Sequence, residues 1–135
     1  METPKAHSVC NDFGCRLLQY QEGTLAAIQL PSGEQVLVSM GASSIKVMQK
    51  RPILGWLFCK AVLSVNLAQF GWSDCIPLTR AVLSVILVDA VMELVIRARS
   101  IPDMLHKYEG NFADLVASEM NTQMSQYTGD QDKSE

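Results

Sequence analysis

Three charged residues recur every four positions in the second half of the chain: Asp89, Glu93 and Arg97. Residues four apart lie on the same side of a helix, so the two carboxylates would stand close together. Paired carboxylates are able to ligate a metal ion or to act as a general acid and base. A metal site needs more ligands, however, and Arg97 already offers Glu93 an ionic partner. We therefore expect a solvated charge stripe without catalytic or metal-binding chemistry.

The four cysteines fit no zinc motif. Zinc motifs use close pairs such as C-x2-C, and neither Cys10 with Cys15 nor Cys59 with Cys75 has that spacing. The remaining metal hypothesis is a site that combines His7 with Cys10 and Cys15. We expect instead free, reduced thiols, as in a cytosolic protein, with Cys59 and Cys75 packed as small apolar side chains.

Two other side chains are reactive types without a visible catalytic partner. Cys59 precedes Lys60, whose charge would favour a nucleophilic thiolate, but no base can be placed beside it. His106, in the stretch MLHKY, is expected on the surface of a short helix. The sequence also contains no phosphate-binding glycine loop, nucleophile elbow or paired-cysteine motif. We assign no catalytic residue, no metal ligand and no cofactor, and we expect a protein that is not an enzyme.

Composition favours a single folded domain in the cytoplasm. The chain has 135 residues, 48% of them hydrophobic, and a net charge of -3. Nucleic-acid binding requires a basic stripe, and the mild cluster of Lys46, Lys50 and Arg51 is the strongest concentration of positive charge here. We therefore expect no nucleic-acid partner. The opening residues METPKAHS contain no apolar run, so we expect no secretory signal.

Four short runs between residues 13 and 50 are typical of strands. They are CRLLQYQ, TLAAIQLP, EQVLVSM and IKVMQK, separated by the turn-forming stretches EG, PSGE and GASS. Sequential strands with short turns favour an antiparallel meander. The next stretch, RPILGWLFCK, contains Pro52 and Gly55 and predicts a loop or short turn. Its aromatic residues Trp56 and Phe58 would cover one end of the core or, alternatively, form an exposed binding patch.

The pentapeptide AVLSV occurs twice, at residues 61–65 and 81–85. Within and beyond the first copy, apolar and polar residues alternate over Val62–Gln69, which predicts a strand. The second copy is followed by the charge stripe at helical spacing, which predicts a helix from about residue 75 to 99. Ser73 or Asp74 would cap its first turn, in which Pro77 is tolerated.

This second segment predicts a long helix that is apolar over most of its circumference. Such a helix needs more cover than one face of a sheet provides. Ser100 and Gly110 then predict the start and end of a short helix, and Asn111 caps a further helix over FADLVASEMNTQMSQY.

The predicted fold class is α+β: an N-terminal antiparallel meander of about five strands, then the long apolar helix and two shorter C-terminal helices. Residues 1–12 are predicted to form a flexible arm, 13–127 the single domain, and 128–135 a disordered polar tail.

Three functional hypotheses follow. The leading one is a non-enzymatic interaction module, a homodimer assembled through the long helix, or a module that binds another protein. The first alternative is a carrier of an apolar, lipid-like ligand in a cavity between sheet and helix. The second is a membrane-associated helical hairpin through residues 53–96, which is disfavoured because each charge in those windows costs about 2.5–3.5 kcal/mol near a bilayer centre. The candidate partner or ligand contacts are Trp56, Phe58, Trp72, Met92, Met120 and Met124.

Overall fold

Five antiparallel strands form one meander in chain order. The computed structural model describes residues 10–51, 55–72 and 76–133. The strands are β1 (Arg16–Gln21), β2 (Leu25–Gln29), β3 (Gln35–Met40), β4 (Ser44–Arg51) and β5 (Gly55–Asn66). Each pairs with its sequence neighbours, which confirms the predicted meander.

Three helices follow the sheet and complete the α+β fold. They are α1 (Pro77–Arg97), α2 (Ile101–Tyr108) and α3 (Phe112–Lys133). The predicted fold class is therefore confirmed, although α3, with 22 residues, is as long as α1, with 21. Ser100 caps α2 as predicted, since its side chain accepts a hydrogen bond from the Asp103 backbone N–H at 3.2 Å.

Strand β5 begins earlier than the sequence predicts. The prediction of a loop over residues 51–60 is wrong for residues 55–60, because these residues already belong to β5. The eight residues of β4 offer a continuous edge for pairing, with Arg51 opposite Gly55 and Gln49 opposite Lys60, and shifts in register absorb the mismatch. Backbone pairing with β4 thus outweighs the local turn signals. The side chains of Trp56 and Phe58 lie outside the described part of the structure.

The two AVLSV copies adopt different structures, as predicted. Residues 61–65 lie in β5 and residues 81–85 lie in α1. The strand ends at Asn66, where a 3-10 turn, Leu67–Phe70, begins. The Asn66 side chain starts this turn by accepting a hydrogen bond from the Ala68 N–H at 2.9 Å. A helical hairpin through residues 53–96 is therefore wrong, because its first limb is a strand.

Helix α1 begins with Pro77 at its first helical position, as the sequence allows. Its N-cap residue is Ile76, which makes no side-chain capping hydrogen bond. The cap predicted at Ser73 or Asp74 falls on residues outside the described ranges. Proline suits this position because it has no N–H that would need a partner.

One face of the sheet and the second half of α1 enclose the core, together with parts of α2 and α3. Cross-strand neighbours such as Ile28 and Val36, or Val38 and Val47, are fully buried on this face. Alternate residues of a strand point to opposite faces, so the intervening residues form an outer face. A carrier would hold its ligand between the sheet and α1. That space contains packed core side chains, including Leu87.

Helical structure is present near both ends of the described chain. Residues 10–12, assigned to the flexible arm, form a helical turn, and Cys10 is 1% exposed within the core. Its carbonyl accepts a hydrogen bond from the Cys15 N–H at 2.7 Å. At the other end, α3 continues to Lys133, through residues for which the polar composition predicted a disordered tail.

Candidate functional site

Helix α1 is longer than the strands on which it lies. At 1.5 Å per residue its 21 residues extend about 31 Å. Strands β2 and β3 have five and six residues, which is roughly 17–20 Å at 3.3 Å per residue. Helix α1 therefore exceeds β2 and β3 by about a third of its own length.

The turn between β1 and β2 lies directly against α1. Gly23 lies in this turn with φ +73°, and a Cβ there would lie 3.3 Å from Val85 Cγ2. One turn further along the helix, the Tyr20 hydroxyl donates a 2.7 Å hydrogen bond to Asp89 Oδ1. A glycine is needed at position 23 both for its positive φ and for this close approach. Toward the N-terminus, the helix continues past this turn.

The overhanging part of α1 exposes large apolar side chains. We call the segment 76–82 the overhang. In it, Ile76 is 63% exposed, Leu78 74% and Val82 55%, which makes them the three most exposed large hydrophobic residues that the structure describes. Leu78 and Val82 are four residues apart and so lie on one side of the helix. The overhang therefore presents an apolar surface to solvent.

The start of the overhang is fixed to the segment that precedes it. Arg80 Nε donates a 3.0 Å hydrogen bond to the Trp72 carbonyl. The Arg80 guanidinium carbon also lies 5.6 Å from the centroid of the Trp72 ring, within the range of a cation–π interaction. These two contacts hold the uncapped first turns of α1 in place, so the apolar surface is presented on an ordered helix.

The charge stripe is bonded within the fold, which corrects the expectation of a solvated face. In addition to the bond between Tyr20 and Asp89, Arg97 contacts Glu93 at 3.2 Å and Glu119 of α3 at 3.0 Å. The Glu93 and Glu119 side chains are only 19% and 10% exposed. Because α3 packs beside α1, the carboxylates lie between layers and serve to join helices and strand.

Two buried thiols lie under the charge stripe. Burial, with smaller contributions from Cys15 and Glu93, raises the pKa of the Cys10 thiol to about 11. Burial also raises the pKa of Cys15, whose Sγ contacts the Ile96 carbonyl at 3.5 Å. A nucleophilic cysteine needs a lowered pKa, so this environment stabilises neutral thiols. His7, the third member of the hypothetical metal site, lies outside the described residues.

The structure separates the predicted contact residues. Met92 and Met120 are 5% and 6% exposed in the core, Met124 is 48% exposed on α3, and Trp72 is half-buried beside Arg80. The sequence prediction missed the exposed residues Ile76, Leu78 and Val82. The signal that could have identified them is the mismatch in length between a helix of more than 20 residues and strands of about six.

Two properties of the described residues bear on the membrane hypothesis and the metal-site hypothesis. Within residues 10–51, 55–72 and 76–133, no helix is both long and apolar enough to cross a membrane. The same ranges contain no group of three or more His, Cys, Asp or Glu side chains that could hold a metal ion.

The comparisons with known proteins leave the site to be interpreted from its own chemistry. Neither the protein-family models, nor the curated proteins, nor the solved structures contain a match to this chain.

Proposed function

We propose that this chain is a non-enzymatic interaction module that forms a homodimer through the overhang of α1. The observation that carries the proposal is the exposure of Ile76, Leu78 and Val82 on an ordered helix that extends beyond its own sheet. Exposed apolar patches on a folded domain are typical of interaction surfaces. A second copy supplies a matching surface, because two identical overhangs are able to pack against each other about a two-fold axis.

The size of the surface indicates a weak dimer. Full burial of a large aliphatic side chain is worth about 1.5–3 kcal/mol. Three partly exposed side chains from each copy therefore supply on the order of 8 kcal/mol, from which the cost of association must be subtracted. After a cost of at least about 4 kcal/mol, these six side chains alone correspond to a dissociation constant near millimolar. Stable interfaces bury about 1,000 Å² or more in total. Neighbouring residues would have to extend the contact.

The test is the oligomeric state of the full chain as a function of concentration. Analytical ultracentrifugation from about 1 µM to 500 µM covers the range in which an interface extended by neighbouring residues would dimerise, and it should show a reversible monomer–dimer equilibrium. The double substitution Leu78→Asp and Val82→Asp should abolish the dimer, because each carboxylate would have to be desolvated in the interface. A chain that stays monomeric throughout this range would overturn the proposal.

Thr79→Asp is the matched control, since Thr79 is also exposed in the first turn of α1. An acidic residue near a helix N-terminus is favourable for the helix itself, so this variant tests added charge without loss of an apolar contact. It should dimerise more strongly than the double variant. If both variants dimerise like the original chain, the interface lies elsewhere.

A further inference from the structure

Three basic residues, Arg16, Lys46 and Lys50, lie at outward positions of the sheet, opposite α1. Lys60 pairs with Gln49 in the row of the buried Val36 and so belongs to the other face. The five described strands contain no aspartate or glutamate. The whole chain nevertheless has a net charge of -3. Its acidic residues therefore lie outside the strands, and the outer face differs in electrostatic character from the rest of the molecule.

An apolar row crosses the middle of this outer face. Pairing places Ala27 opposite Leu37, Leu37 opposite Met48, and Met48 opposite Ala61. We call these four residues the central row. Leu37 and Met48 are half-buried but are not among the apolar side chains that pack against the core, which agrees with their outward direction. Cys59 extends the apolar surface on β5, with its Sγ 3.6 Å from Met48 Sδ.

Polar rows with basic residues flank the central row on both sides. On one side Ser39 pairs with Lys46. On the other side Arg16 pairs with Gln29, and Lys50 Nζ donates a 3.0 Å hydrogen bond to Gln35 Oε1. Two open clefts accompany these rows. One, of about 310 Å³, is lined by Ser39, Lys46 and Met48 among others. The other, of about 440 Å³, is lined by Gln35 and Lys50 and also by Glu34, whose carboxylate accepts hydrogen bonds from the Ser32 hydroxyl and the Ile101 N–H.

We propose that the outer face of the sheet binds an amphipathic helix of a partner protein whose apolar stripe is flanked by acidic residues. Strands lie about 4.8 Å apart, so the central row of four strands spans roughly 14 Å. One helical turn rises about 5.4 Å, so a helix laid across the strands places an apolar residue near each strand in turn. Its acidic flanks would meet Lys46 on one side and Arg16 and Lys50 on the other. The surface is separate from the overhang of α1, so this inference does not rest on the proposed dimer.

The test uses two synthetic helical peptides of about 15 residues, long enough to cross the row. Both carry the same leucine stripe, flanked in one by glutamates and in the other by lysines. Fluorescence anisotropy with the full chain should show saturable binding of the glutamate peptide, weakening as salt rises, and at least about tenfold weaker binding of the lysine peptide. Equal affinity for both peptides, or no saturable binding, would overturn the proposal.

Charge reversal on the protein locates the binding surface. Lys46 is exposed, so Lys46→Glu should preserve the fold while weakening the glutamate peptide by roughly fivefold to tenfold and strengthening the lysine peptide. Leu37→Asp should remove binding of the glutamate peptide. Lys107→Glu, on the exposed surface of α2, is the matched control and should leave both affinities unchanged. If the control weakens binding as much as Lys46→Glu does, the outer face is not the binding site.

A further measurement separates the protein partner from other anionic surfaces. Vesicles with about a third anionic lipid carry enough surface potential to attract basic segments, and they should not bind the chain in a sedimentation assay. Vesicle binding that is lost in Lys46→Glu would overturn the assignment of a helical protein partner in favour of a lipid surface.

Discussion

The two halves of α1 have similar hydrophobic composition and opposite environments. Residues 87–96 are largely buried, with Leu87, Val88 and Val91 at 0% exposure, whereas Leu78 and Val82 are mostly exposed. Both halves belong to one uninterrupted helix. The second half packs against the sheet and the C-terminal helices, and Leu83 and Ile86 of the first half also pack against the core. The exposed large apolar side chains lie only in the first turns, up to Val82. The apolar side chains of α1 thus form part of the core at one end of the helix and an exposed surface at the other.

The sharpest test of this contrast is a pair of leucine truncations. Leu87→Ala should destabilise the fold by about 2–5 kcal/mol, because it leaves a cavity among fully buried neighbours. Leu78→Ala should change stability by no more than about 0.5 kcal/mol. Urea unfolding, at a protein concentration where the chain is monomeric, measures both values. Similar losses for the two variants would show that the overhang is covered within the monomer.

A second prediction concerns alkaline pH and the buried end of α1. Burial raises the pKa of the Cys10 thiol from 9.0 to about 11 in the folded state. Stability is therefore complete below about pH 8.5 and falls as pH rises toward 11, because the unfolded state releases its proton first. The loss should reach on the order of 2 kcal/mol, and urea unfolding between pH 7.5 and about 10.5 covers most of this window.

Cys10→Ala provides the comparison for this pH dependence. The variant lacks the titrating thiol, so its stability should fall less steeply in the same range. A residual slope is expected, because burial also raises the pKa values of Cys15 and Tyr108. Identical slopes in the variant and the original chain would contradict the assignment to Cys10.

The smallest predicted effect lies at the border between the two halves of α1. Tyr20→Phe removes the hydroxyl that donates to Asp89, and we expect a loss of about 1–2 kcal/mol, as for hydrogen bonds to charged acceptors in partly buried settings. Thermal unfolding of Tyr20→Phe, Asp89→Asn and the double variant measures the coupling between the two side chains. Additive losses would show that the bond contributes nothing of its own.

The fold could be predicted largely from local sequence. The turn residues between the first four strands and the alternation in β5 placed the meander, and the four-residue period of Asp89, Glu93 and Arg97 placed α1. The early start of β5 could not be predicted, because Pro52 and Gly55 resemble a loop and pairing with β4 decides otherwise. The contact between Arg80 and Trp72 at the start of α1 is likewise not visible in the local pattern.

The candidate site was much less predictable. Helical spacing correctly placed the charged residues on one stripe, but their partners Tyr20 and Glu119 are 69 and 22 residues away from the positions that they contact. Burial of the methionines also depended on packing, since Met92 and Met120 lie in the core while Met124 is exposed. No local pattern distinguishes these cases.

The sequence by itself determined the type and order of the elements, because turn chemistry and the periods of alternation act within a few residues. It also determined that one pentapeptide forms a strand in one place and a helix in another, through its neighbours. Tertiary structure alone decided which apolar residues are covered. Coverage depends on where the sheet lies relative to α1. The overhang is exposed because the sheet covers only part of α1. The outer face is exposed because the helices cover only the other face of the sheet.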